Sequence, residues 1–369
     1  MFGNKTGVEY YTAGLVESLA RQYPDTIELI GYHSSKQKNP LPTEPNISYQ
    51  RVWLPSKLIN LSRRLHLPIP IELLTLKRSD FILYPNFLGL PSLLRTPAAP
   101  VIHDLTFIDL PESVSKRNLH DLAAFVPRQL ETANFVITVS DFSKNRIQEV
   151  FHVPKAKILV TPVPPEPPQL ASPDEEQRIL RQLGIKGKFI LTLGTVEPRK
   201  NLLNMLDAYT HLPKEIQEEY AFVSAGKIGW NCEAEVARLT ELQNAGKNIM
   251  QVGYVSDEQR AALYNNATIF TWASRYEGFG MPILEAMSYG TACAISNIPV
   301  FQEAARDTAL YFDQEQPESI SNAWLELLRD PDMRRGLALA GKGRAATFKW
   351  STVATILYNR IMQELGHSQ

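Results

Sequence analysis

Two stretches of this chain combine residue types that could do chemistry on an anion. The first is Ser274-Arg-Tyr-Glu-Gly-Phe-Gly-Met-Pro-Ile-Leu-Glu285. It directly follows an apolar run, Thr268–Trp272, that reads as a strand. Gly278 and Gly280 flank Phe279, and paired glycines after a strand let the backbone approach a ligand closely. Pro282 suits the first turn of a helix and Gly290 its C-terminal cap. The helix start, from Gly280 and Met281, is therefore expected to offer N–H groups and the positive end of its dipole to an anion. Glu277 precedes the helix and Glu285 lies about one turn into it. Carboxylates there suit sugar hydroxyls, which donate charge-assisted hydrogen bonds to them. The second stretch is Gly194-Thr-Val-Glu-Pro-Arg-Lys-Asn201, after the apolar run Phe189–Leu193. Asn201 reads as the N-cap of a helix from Leu202. Arg199 and Lys200 then sit at a positive helix end, which disfavours each by roughly 0.3–1 kcal/mol. A bound dianion such as a diphosphate would reverse that.

The elements that must position these turns are strands alternating with helices, the mark of parallel βαβ units. Candidate strands are Ile27–Tyr32, Ile47–Leu54, Phe81–Tyr84, Pro100–His103, Phe135–Val139 and Ile158–Val160. The alternation restarts with Phe189–Leu193, Ala221–Ser224, Met250–Val252, Thr268–Trp272, Ala292–Ile295 and Ala309–Phe312. Between the two series, Pro162 to Pro173 carries six prolines in twelve residues, a stiff extended connector. The expected division is a first Rossmann-like domain over 1–161, a linker over 162–173 and a second Rossmann-like domain over 174–349. A C-terminal helix within 350–369 is expected to pack back on the first domain. A length of 369 residues fits two cores better than one. Ligands of such sheets bind at the carboxyl ends of the strands.

Composition narrows the function. Thirty-eight basic against 39 acidic residues give a net charge of −1, so no global signal points to nucleic acid. Cys232 and Cys293 are too few and too distant for a disulfide framework, and a reduced, cytoplasmic setting is expected. No apolar run reaches the roughly 20 residues that span a bilayer. The seven histidines are scattered, with no metal-ligand spacing. No Gly-x-Gly-x-x-Gly follows a first strand, which argues against a nicotinamide dehydrogenase. Residues 51–78 carry six cations against one acid, Glu72, a balance of +5. Leu58, Leu61 and Leu65 form a helical stripe there, with Lys57, Arg63 and Arg64 close by. Such a stretch can rest on anionic lipid at the inner face of a membrane or pack its leucines on a sheet.

In their order along the chain these segments resemble glycosyltransferase family 4, over nearly the whole length. Glu277 and Glu285, with seven residues between them, match the family's two-glutamate signature, as do Tyr276-Glu-Gly-Phe-Gly, Leu284-Glu-Ala-Met and Gly290-Thr291. Val252-Gly-Tyr-Val-Ser-Asp-Glu258 is similar to the loop near the nucleotide base, and His103-Asp-Leu-Thr-Phe107 to the histidine loop of the first domain. The resemblance implies a GT-B fold, two Rossmann-like domains facing each other across a cleft. It also implies retaining transfer of a sugar from a nucleotide diphosphate sugar, without metal or other cofactor. By the same resemblance Lys200 and Arg199 would hold the diphosphate, Glu285 the ribose hydroxyls and Glu277 the donor sugar. His103 would contact that sugar as well. Gly7, Gly194, Gly278, Phe279, Gly280 and Met281 would line the donor, and Val255, beside Tyr254, would offer backbone groups to the base. The branch resembled is mannosyltransferase-like, which implies GDP-mannose as donor and a glycan or lipid-linked oligosaccharide as acceptor. The alternatives are a nucleotide-sugar epimerase of the same fold and a non-catalytic nucleotide-sugar-binding protein.

The chain departs from the family pattern twice. Thr195 stands where the family usually carries an arginine, and Arg199 is expected to supply that charge. The family begins with a strand before the Thr6-Gly7 loop, and only five residues precede Thr6 here. A start assigned too late is the expected reason, with loss of the middle strand of the first domain as the alternative.

Overall fold

In the computed structural model, the described residues are 7–33, 43–52, 54, 55, 58, 59, 62, 67, 69–75, 78–166, 168 and 171–366. They are α/β throughout, every paired strand is parallel, and the chain divides into two compact units. One comprises Met1–Leu105, Arg117–Val163 and Lys349–Gln369, the other Thr106–Lys116 and Pro164–Phe348. The short stretch Thr106–Lys116 thus groups with the C-terminal half. Trp230 Nε1–H donates to Ser113 O at 3.0 Å, one bond that holds it there.

The first unit contains β1 (Leu29–His33), β2 (Ile47–Arg51), β3 (Ile82–Tyr84), β4 (Ala98–Pro100), β5 (Val136–Thr138) and β6 (Ile158–Val160). They form the ladders β1–β2, β3–β4 and β5–β6, and a bridge between Val101 and Ile137 connects the last two. The helix Trp350–Glu364 lies against the helix Gly7–Gln22 in this unit. Tyr10 and Tyr11 meet the Trp350 ring at 6.0 and 6.1 Å, and Tyr23 stacks on Tyr358 at 3.7 Å. The buried Tyr11 hydroxyl pairs with Thr161 Oγ1 at 2.7 Å. Of the basic stretch, Lys57, Arg63, Arg64 and Lys77 lie outside the described residues, as do Leu61 and Leu65.

The second unit contains β7 (Lys188–Leu193), β8 (Tyr220–Ala225), β9 (Ile249–Gly253), β10 (Ile269–Trp272), β11 (Cys293–Ser296) and β12 (Leu310–Phe312). Their order in the sheet is β12-β11-β10-β7-β8-β9. Counted from β7, that is the doubly wound order 3-2-1-4-5-6 read from the β9 edge. The strands are almost continuously apolar, as a parallel sheet covered on both faces demands. Phe189, Ile190, Leu191, Phe222, Ile269 and Phe270 are all inaccessible. On one face Leu206, Tyr209 and Trp324 complete the core, and Trp324 Nε1–H donates to Thr271 Oγ1 at 2.8 Å.

The strand order fixes the site. The winding direction reverses between β7 and β10, which pair directly through Ile190–Ile269 and Leu191–Phe270. At such a reversal the two following turns diverge from the same edge and leave a crevice. The turns here are Gly194–Asn201 and Ala273–Gly280, the two stretches that carry Arg199, Lys200 and Glu277.

Candidate active site

The turn after β7 is short. Pro198–Lys200 forms a single 3-10 turn, closed by Lys200 N–H to Glu197 O at 2.9 Å and Asn201 N–H to Pro198 O at 3.1 Å. Asn201 precedes the helix Leu202–His211, but its backbone is left-handed, at φ 59°, and its side chain caps nothing. Its Nδ2 instead donates to Gln314 O at 2.6 Å, so the N-cap expected there is replaced by a tether to a neighbouring turn.

The turn after β10 leads into the helix Met281–Tyr289, with Gly280 at φ 110° before it and Gly290 at φ 79° after it. Both backbones lie where an L side chain is strained, so the glycines are required at these two helix ends. Pro282 brings no N–H, and the first helical N–H groups that turn back are those of Ile283 and Leu284, both to Gly280 O.

Between the two turns lies a charge cluster. Arg199 Nη1 is 2.6 Å from Glu277 Oε2, and Lys200 Nζ donates to Glu277 Oε1. Arg199 Nε also donates to Glu197 Oε2 at 2.9 Å. Ser274 Oγ–H reaches Glu277 Oε1 at 2.9 Å, and Lys200 Nζ sits 4.6 Å over the Trp272 ring. The four charged side chains are only 10–17% exposed. Burial alone would raise the Glu277 carboxyl, but the adjoining Arg199 and Lys200 charges outweigh it and hold the group at about 2. Burial and Arg199 pull Lys200 below its ordinary value, while Glu277 and Glu197 pull it back up. The two cations therefore do not await a dianion to be stable, as their position in the sequence suggested. Two carboxylates already neutralise them.

Glu285 stands apart from this cluster. Its Oε2 accepts from Tyr264 O–H at 2.9 Å, and Oε1 is 4.0 Å from Arg260 Nη1. Burial raises its carboxyl, and Arg260 and Tyr264 offset this only in part. Among the described residues Tyr264 is its one short partner, and donors from a ligand would relieve the buried acid.

Gly194 acts through its neighbour. A Cβ on Gly194 would lie 2.5 Å from the Trp272 indole, the ring that carries Lys200 and donates Nε1–H to Glu277 at 3.3 Å. Gly194→Ala is expected to push that ring off both groups. The predicted cost is about 1–3 kcal/mol in stability from overpacking, with turnover falling roughly tenfold as the cluster shifts. Normal activity with an unchanged melting temperature would contradict this reading.

The remaining expected residues are placed as follows. Phe279 turns its ring inward, 6% exposed and edge-on to Phe348 at 5.7 Å, so it can offer a ligand only its backbone. Val255 is buried in the turn after β9, whereas Tyr254 is half exposed with Lys227 Nζ 5.1 Å over its ring. Gly7 opens the helix Gly7–Gln22, and a Cβ there would meet nothing within 4 Å among the described residues. His103 belongs to the first unit. Its Nε2 lies 2.9 Å from Pro85 O and must carry the proton, since a carbonyl only accepts. Burial lowers its pKa, which favours the neutral ring with Nδ1 as acceptor. Reading residue by residue missed Trp272, Glu197, Tyr264 and Arg260 as parts of the site. Trp272 ends the strand before one of the turns already singled out and Glu197 lies within the other; Tyr264 and Arg260 had no local signal.

Residues 175–344 match the family described as glycosyl transferases group 1. Along almost its entire length the chain is similar to the O-antigen chain mannosyltransferase B of Escherichia coli, 32% identical over 367 residues, covering 96% of this chain and 95% of that one. The chain belongs to the group 1 glycosyltransferases. Solved structures agree on the fold. The sucrose-phosphate synthase of Thermosynechococcus elongatus superimposes with a TM-score of 0.73 at 19% identity, covering 98% of this chain and 94% of that one. The Anabaena protein HepE in complex with UDP and glucose superimposes with a TM-score of 0.71 at 15% identity, covering 98% of each. The fold of this glycosyltransferase is accordingly the two-domain GT-B type. No helix among its described residues is long and apolar enough to cross a membrane.

Proposed function

We propose that this glycosyltransferase moves mannose from GDP-mannose, with retention of configuration, to a glycan or lipid-linked acceptor in cell-surface polysaccharide synthesis. The observation that carries this reading is the Arg199–Lys200–Glu277 cluster beside a glycine-led helix start, at the reversal of a doubly wound sheet. The name of the E. coli relative supports the sugar and the pathway class. Lys200 and Arg199 take the diphosphate, with the start of the helix Met281–Tyr289 adding N–H groups and a favourable dipole. As the bond to the sugar breaks, negative charge grows on the diphosphate, and fixed cations in a dry site stabilise it there. Glu277 holds the donor sugar and Glu285 the ribose hydroxyls, which add donors to its buried carboxylate. Arg199 and Lys200 supply the positive charge, so the reaction in this reading requires no metal ion and runs undiminished in EDTA.

A thermal-shift panel of GDP-, UDP- and ADP-sugars tests the donor, because a ligand that binds only the folded state raises the melting temperature with concentration. GDP-mannose is expected to give the largest shift and to yield a mannosylated acceptor. A larger shift with a UDP-sugar would contradict the donor assignment, and failure of every nucleotide sugar to bind would contradict the reading as a whole.

A further inference from the structure

We infer that Arg275 and Glu315 are positioning residues that hold the cationic turn Pro198–Lys200 in register with Glu277. The inference rests on the proposed role of that turn in binding a diphosphate.

A single 3-10 turn has too few internal hydrogen bonds to fix its own orientation, and this one ends in the left-handed Asn201. Its carbonyls are held from outside. Arg275 N–H donates to Arg199 O at 2.8 Å, and Arg275 Nη1–H donates to Pro198 O at 3.1 Å. The other edge of the same guanidinium is gripped by Glu315, through Nε to Oε1 at 2.8 Å and Nη2 to Oε2 at 3.0 Å. Such a two-bond fork fixes a plane as well as a distance. The residue next to Glu315 braces the same segment. Gln314 O accepts from Asn201 Nδ2 at 2.6 Å and from Asn204 Nδ2 at 2.9 Å. The turn that supplies Gln314 and Glu315 is itself pinned, by Glu315 N–H to Asp313 Oδ1 at 2.9 Å and Asp313 N–H to Ser319 Oγ at 3.0 Å. A turn following β12 thereby supports the turn following β7, although two strands separate β12 from β7 in the sheet.

The pair's exposure limits what it can add to global stability. The Arg275 and Glu315 side chains are 36% and 48% exposed, and ion pairs so exposed contribute little to folding. Glu277 and the two turn cations, by contrast, are nearly covered. A shift of the turn by a fraction of an ångström would misplace Lys200 against the growing diphosphate charge. Misplacements of about 1 Å can cost on the order of 10²-fold in rate.

The test uses the full-length protein and three variants: Glu315→Gln, Arg275→Gln, and the swap of Arg275→Glu with Glu315→Arg. The readouts are melting temperature, calorimetric binding of GDP, and kcat and KM for the donor. The expected result for the single variants is a melting temperature within about 2 °C of wild type and a kcat reduced roughly 10-fold or more, with KM changing less than kcat. The swap restores opposite charges, but a carboxylate at position 275 cannot donate to Pro198 O, so turnover stays low. Recovery of wild-type turnover in the swap would overturn the inference by showing that the ion pair alone matters. So would single variants with unchanged kcat, or with kcat lost only in proportion to melting temperature. Failure of the wild-type protein itself to bind GDP would instead overturn the diphosphate reading on which the inference rests.

Discussion

Lys200→Ala is expected to lower the turnover of sugar transfer by roughly 10²–10³-fold, the scale of removing one preorganised charge contact from a developing anion. Lys200 is suited to that task because it is almost covered yet kept charged. Burial and Arg199 would tend to strip its proton, and Glu277 and Glu197 retain it. In the free protein its ammonium lies on Trp272 and against Glu277, so a bound diphosphate meets a cation already ordered. The loss should fall mainly on kcat, because the leaving diphosphate carries more charge than the bound donor. Steady-state kinetics on the purified variant make the check, and near-normal turnover would remove Lys200 from the mechanism.

Glu277→Gln is the second large effect, and it has two parts. The glutamate is the shared partner of Arg199 and Lys200, with both oxygens engaged. Removing one partner of a covered ion pair leaves uncompensated charge and costs about 3 kcal/mol. Arg199 keeps Glu197 in the variant, so the damage centres on Lys200. Without Glu277, burial and Arg199 act on Lys200 with less opposition, and its pKa falls further. If Lys200 must be protonated to work, the alkaline limb of the pH–rate profile moves to lower pH, on top of a turnover loss of roughly 10²-fold or more. An alkaline limb that stays in place would show that Glu277 does not govern the protonation of Lys200. Wild-type stability carries a complementary signature. The Glu277 carboxyl at about 2 lies below the ordinary glutamate value near 4.3. Its contribution is therefore complete above pH ~4.3 and is withdrawn as pH falls toward ~2. Glu277→Gln should lack that part of the acid slope.

Much of the second unit is legible in the sequence because parallel strands buried on both faces are short, apolar and bounded by turns. The expected run Phe189–Leu193 differs from β7 by one residue, and the other five strands of the sheet fall within a residue or two of expectation. Helices hidden by composition were harder. Pro173–Gln182 begins inside the proline-rich stretch, where Ser172 as N-cap and three acids in the first turn were outweighed by the prolines around them. Pro331–Ala345 contains Gly336, Gly341 and Gly343, which weaken a helical reading, yet Gly341 is where the helix presses on Met287, 3.0 Å from an added Cβ.

The site divides in the same way. Glycine turns after strands are legible in the sequence because their backbone chemistry is local. What the cations contact is not local. Lys200 and Glu277 lie 77 residues apart, as do Arg199 and Tyr276, too far for any helical or hairpin rule to pair them. Only the strand order β10-β7 brings them together. Sequence reasoning therefore saw two unpaired positive charges and inferred a missing anion. In the fold Glu277 and Glu197 neutralise those charges before any ligand arrives. The tether from Asn201 to Gln314 and the fork from Arg275 to Glu315 are likewise products of topology.

A crystal structure of the protein with GDP bound tests the central claim most directly. The account predicts the β-phosphate within hydrogen-bond distance of Lys200 Nζ and of the backbone at Gly280 and Met281, with the ribose hydroxyls on Glu285. A diphosphate bound elsewhere, with Lys200 and Arg199 still closed on Glu277, would contradict it.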